Sequence, residues 1–181
     1  MYLIPFYVVD SELAARETRV MHTLVPQDGL PVGSYGLLEF YCPDPTCDCR
    51  RVLLNIVEEQ APDHFLASIS YGFDPDNEME GIKDMQGPFL DPMNYQSEYA
   101  EALFELVKRI VLSDPRYVAR LERHYALVKR AASDPKHSAY RTLQKTLSDE
   151  ADVTLAPRPA HKPRRKPSKR KARPRRKRRR R

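Results

Sequence analysis

The chain has 181 residues, with 31 Lys and Arg against 25 Asp and Glu, for a formal net charge of +6. Residues 157–181 hold 16 of the basic side chains and no acid, so residues 1–156 carry 15 basic against 25 acidic groups, a net of −10. That division excludes a uniformly basic domain and describes an acidic body with a polycationic tail.

No stretch nears the roughly 20 apolar residues of a membrane-spanning helix. Residues 1–10 are apolar but lack a basic start and a small-residue cleavage site, so they do not read as a signal peptide. All three cysteines fall within 42–49, which argues against a secreted disulfide scaffold. A reducing cytoplasm is the expected location, with nucleoid or ribosome association through the tail.

Residues 11–16 read as a helical turn, and 17–25 as a strand closed by the turn formers of 26–31. Residues 34–41, 51–57 and 65–71 make three further strands. In the last, Phe65, Ala67, Ile69 and Tyr71 share one face and Ser68 and Ser70 the other. Connections of six to nine residues are too short for crossover helices, so sequential antiparallel pairing is expected.

After residue 90 the period changes. Tyr99, Leu103, Leu106, Val107, Ile110 and Val111 recur at helical spacing. Ser113-Asp114-Pro115 and Ser133-Asp134-Pro135 each offer a side-chain cap and a proline at a first helical turn. The helices expected behind them carry Val118, Leu121, Tyr125 and Val128, then Tyr140, Leu143 and Leu147. The predicted fold is α+β: an antiparallel β-meander of about four strands packed against C-terminal α-helices. Residues 1–90 form its mainly β region and 91–150 its helical region, while 151–181 form a disordered Lys/Arg/Pro-rich tail.

The cysteines stand as C-x4-C-x-C in a loop with two prolines and two aspartates. Zinc (Zn2+) takes four thiolate, imidazole or carboxylate ligands, so Cys42, Cys47 and Cys49 are one short. Asp44, Asp48, Asp74, Asp76 and His22 are the candidates for the fourth. His64 should lie at the opposite end of the sheet. Redox chemistry between thiols and ordinary loop cysteines are the competing readings, and Arg50 and Arg51 would favour thiolate in either reactive case. The segment YCPDPTCDCRRV, from Tyr41 to Val52, resembles one found in a family of uncharacterised bacterial proteins. That resemblance implies a bacterial cytoplasmic origin and a deliberate loop, and it implies no activity.

Other signals are weaker. Counting from Asp74, the sixth and twelfth positions are Met79 and Met85, which excludes an EF-hand calcium loop. Arg116, Arg120, Arg123 and Arg130 lie close to one helical stripe, which reads as a solvated face before it reads as a phosphate contact. His124 and His137 have no clustered partners in sequence and read as solvated or capping. Nucleotide-binding, zinc-protease and serine-hydrolase signatures do not occur, which favours a non-enzymatic role and leaves activity open.

The tail supplies the nucleic-acid candidates: Arg164, Arg165, Lys166, Lys169, Arg170, Lys171, Arg173, Arg175, Arg176, Lys177, Arg178, Arg179, Arg180 and Arg181. Such a polycation binds DNA or RNA through phosphates by counterion release. It has no aromatic residue to stack on bases, so sequence preference should be poor. The expected function is therefore a nucleic-acid-associated protein whose acidic body engages a protein partner. A cysteine-based redox sensor or enzyme is the alternative.

Overall fold

A computed structural model describes residues 2–73 and 87–155. Six strands form one antiparallel sheet: β1 (Ile4–Pro5), β2 (Arg19–Thr23), β3 (Gly33–Tyr41), β4 (Arg51–Glu58), β5 (Ala61–Gly72) and β6 (Phe89–Leu90). A 3-10 turn (Phe6–Val8) and helix α1 (Ser11–Glu17) separate the first two strands. Helices α2 (Ala100–Ile110), α3 (Pro115–Ser133) and α4 (Tyr140–Leu155) follow the last. No helix among the described residues is long and apolar enough to cross a membrane.

The sheet is the expected meander with two short additions. Strands β2 to β5 pair in sequence order, while β1 and β2 share one edge of β3. Two-residue strands carry too little periodicity to announce themselves, so four strands were expected where the described residues form six. The first expected strand also began too early, because Glu17 ends α1. Between β2 and β3, Asp28 (φ 50°) and Gly29 (φ 83°) are both left-handed, and Gln27 and Leu30 close a tight turn around them.

Alternation decides what faces the core. In β3, Tyr35, Leu37, Glu39 and Tyr41 are buried, and their register partners in β4 include Ile56 and Leu54. These in turn pair with Ala67 and Ile69 of β5. Leu103, Val107, Leu121, Val128 and Leu143 from the helices belong to the same buried cluster. Ile110 was expected on this face but is 43% exposed at the end of α2.

The two Ser-Asp-Pro segments diverge. Asp114 accepts from the Arg116 amide and starts α3 with Pro115 in its first turn. Asp134 accepts from the Lys136 amide but closes a turn after α3, and α4 begins only at Tyr140. In α3 the buried stripe is Tyr117, Leu121, His124, Val128, Ala131 and Ala132, rotated from the apolar positions expected.

Candidate functional site

The β3–β4 loop is drawn tight by its own side chains. Asp44 Oδ1 accepts from the Thr46 amide at 2.8 Å and from its hydroxyl at 2.7 Å, and the Cys47 amide donates to the Asp44 carbonyl at 3.2 Å. Pro43 and Pro45 limit the backbone between these contacts. Arg50 takes a left-handed conformation (φ 40°), and its carbonyl accepts from the Phe73 amide at 2.9 Å. The loop thus ends beside the exit of β5.

Helix α3 anchors the loop from below. Lys129 Nζ donates to the Asp44 carbonyl at 2.6 Å and to the Cys47 carbonyl at 2.8 Å, and it lies 5.1 Å from the centre of the Tyr125 ring. The result is convergence of all three thiols. Cys42 is buried, Cys47 and Cys49 are half-buried, and the Sγ atoms lie within 4.8 Å of one another. Tetrahedral zinc at about 2.3 Å from each sulfur needs S···S separations of about 3.8 Å, so the three can hold a metal ion with small adjustments.

Charge in the loop is unevenly shared. A hydrogen bond from Cys49, helped by the Asp44 amide, Lys129 and Cys47, outweighs burial and lowers the Cys42 thiol to about 6. That same bond to Cys42, with burial added, pushes the Cys49 thiol well up. One thiolate and one donating thiol therefore share a proton at neutral pH.

The candidate fourth ligands separate clearly. The Asp44 carboxylate is taken up by Thr46. Asp48 is exposed between Cys47 and Cys49. His22 is not brought to the thiols: it pairs with Ser34, and its Nδ1 lies 2.9 Å from Ser34 Oγ, at the far end of β3, about 23 Å of strand from Tyr41. Asp74 and Asp76 lie outside the described residues, as do the 14 tail residues from Arg164 to Arg181 named as nucleic-acid candidates. No imidazole or carboxylate among the described residues joins the three sulfurs within the same radius.

A second site was not anticipated. His124 is 1% exposed, with Nδ1 2.6 Å from Glu39 Oε2 and Nε2 3.0 Å from Glu17 Oε2. Glu39 also accepts from the Tyr41 hydroxyl at 2.8 Å and from Arg120 Nη2 at 3.2 Å. Burial, and then the Glu39 charge, hold the Tyr41 phenol well above its usual range, so it remains a donor. Arg123 Nη2 reaches Glu17 at 2.6 Å, and Phe6 stacks on the imidazole at 4.0 Å between centroids. Arg120 and Arg123, expected on a solvated stripe, are therefore ion-paired to carboxylates from β3 and α1.

Beside this network lies a cavity of about 200 Å3 between α1, the 3-10 turn and β3, with Glu17, Glu39 and His124 in its wall. Two sequence signals pointed to it. Glu39 occupies a core-facing position of β3, and His124 falls on the spacing of Leu121 and Val128.

The fold and these sites define a small α+β protein with a three-thiol loop and a buried carboxylate–histidine network. Compared with family models, with curated proteins and with solved structures, the chain has no match.

Proposed function

We propose that the protein is a non-enzymatic nucleic-acid-associated protein whose acidic α+β body is locked by zinc on Cys42, Cys47 and Cys49. The body engages a protein partner, and the tail binds DNA or RNA phosphates without sequence preference. The observation that carries the metal reading is the approach of three sulfurs within 4.8 Å in a loop anchored by Lys129. A tight loop between two strands gains most from a structural ion, because binding free energy there is folding free energy. Among the described residues no imidazole or carboxylate joins the three sulfurs as a positioned base, which favours a structural over a catalytic ion. The tail reading rests on 16 positive charges in 25 residues.

Purified protein dialysed without chelator should hold one zinc per chain, and Cys47→Ser should lose it and melt lower. Unchanged zinc content and melting temperature in that variant refute the metal reading.

A redox reading has its own observation: the Cys42 thiol lowered to about 6 beside a donating Cys49 is a nucleophile with a resolving partner. Metal-free protein in which peroxide converts Cys42 and Cys49 to a disulfide would select it.

A further inference from the structure

We infer that the cavity under α1 is a binding site for a small primary amine with a single-ring or short alkyl body, held as its ammonium by Glu17 and His124. The site shares no residue with the thiol loop.

The apolar half of the site follows from α1. Ser11, Ala14, Ala15 and Thr18 fall at helical spacing on one side of α1, and all four line the cavity. They are too short to fill it. Phe6 and Leu38 close the other side, leaving about 200 Å3. An apolar cavity of roughly 150 Å3 already suffices for benzene, so a ring with a one-carbon ammonium arm fits.

The polar half follows from proton bookkeeping. Glu39 is acceptor to Tyr41 and Arg120, so the contact at its Oε2 is made by a proton on His124 Nδ1. A neutral imidazole then presents a bare lone pair from Nε2 toward Glu17 Oε2 at 3.0 Å, acceptor against acceptor. Arg123 already donates to that oxygen at 2.6 Å, and two further donors can relieve the opposition at Nε2. One is a second proton on the ring. The other is an ammonium in the cavity, donating to Nε2 and to the Glu17 carboxylate together.

The charges around the ring are Glu17 from α1, Glu39 from β3, and Arg120 and Arg123 from α3. The Tyr41 and Tyr117 hydroxyls complete the polar groups near Glu39. Two carboxylates against two guanidiniums leave the imidazole proton as the difference between a neutral and a positive site. A neutral ring accepts a cation and a protonated ring repels it. Amine and proton therefore compete for one place.

The test is a calorimetric titration of the full chain with benzylamine, with benzyl alcohol and phenylacetate as neutral and anionic counterparts. Benzylamine should bind saturably and more tightly than either. Ala15→Leu fills the cavity from a solvent-exposed helix position and should abolish binding with the melting temperature held. Glu17→Gln should weaken benzylamine at least tenfold and leave benzyl alcohol unchanged. Tighter binding of phenylacetate, equal binding of all three compounds, or no binding at all each overturns the inference.

Discussion

Glu39 Oε2 lies 2.6 Å from His124 Nδ1, which joins the middle of β3 to the middle of α3 across a separation of 85 residues. Both side chains are almost wholly buried, at 5% and 1% exposure. Arg120 and Tyr41 donate to the same carboxylate, so Glu39 satisfies three donors at once. A buried charge of this kind is strongly destabilising to break, because its partners are left unpaired out of water.

Glu39→Ala should therefore lower stability by about 3 kcal/mol in urea denaturation, the scale of a broken buried pair. Arg120 and His124 would remain buried without their acceptor. A loss under about 1 kcal/mol, the scale of an exposed ion pair, would show that the network is solvated.

The network also marks where the sequence stops being legible. The meander and three main helices were readable because three strands alternate or run apolar over seven or more residues and the helices keep a steady stripe. Glu39 and His124 each sit on such a pattern, yet each looks like an exception when taken alone. Only the pairing of β3 with α3 in space makes them partners. Lys129 was missed for the same reason: it is 82 residues from Cys47, and it adds an ammonium to the positive charge expected from Arg50 and Arg51. Arg51 reaches the Ser70 hydroxyl, lies over Phe89 and feels the charge of Cys49. The cysteine cluster was legible because its three members share one short loop.

Thiol reactivity should divide by position. In chelator-treated protein, iodoacetamide should modify Cys42 first, with half-maximal rate near pH 6 and little change above pH 7.5, where the thiolate is fully formed. A depressed value means that reactivity is lost as pH falls through 6. Cys49, pushed up by the same hydrogen bond, should react last. Lys129→Met removes a charge that lowers Cys42 and should move its profile to higher pH. Peptide mapping that finds Cys49 modified first would reverse the assignment of donor and acceptor.

Metal binding should release protons in a number set by this arrangement. At pH 7 the Cys42 thiol is already ionised, whereas Cys49 holds its proton. Ligation by all three sulfurs at pH 7.5 should then draw a proton from Cys49 and none from Cys42, so the release per zinc stays below three. Indicator dye in weak buffer reports the count directly. Cys42→Ser should leave the release unchanged while weakening affinity, since the lost ligand was the one already deprotonated. Release of three protons per zinc from the native chain would mean that Cys42 is not a thiolate before the metal arrives.

Truncation separates the two halves of the proposed function. Removal of 157–181 leaves 15 basic against 25 acidic side chains, a net of −10. Phosphate should repel that body, and the basic side chains of α3 offer little compensation, because Arg120 and Arg123 are already paired with Glu39 and Glu17. Generic duplex DNA should therefore bind the full chain and not the truncated one. In the full chain, log affinity should fall with log salt at a slope of about −0.9 for each phosphate engaged, so ten engaged side chains give a slope near −9. Replacing the duplex sequence should leave that slope unchanged, since phosphate contacts position a protein without reading bases. Retained affinity after truncation would move the interface onto the body, and the remaining arginines of α3, Arg116 and Arg130, would be the next to replace. A slope shallower than about −3 in the full chain would mean that few tail charges reach phosphate together, and the tail would lose its assigned role.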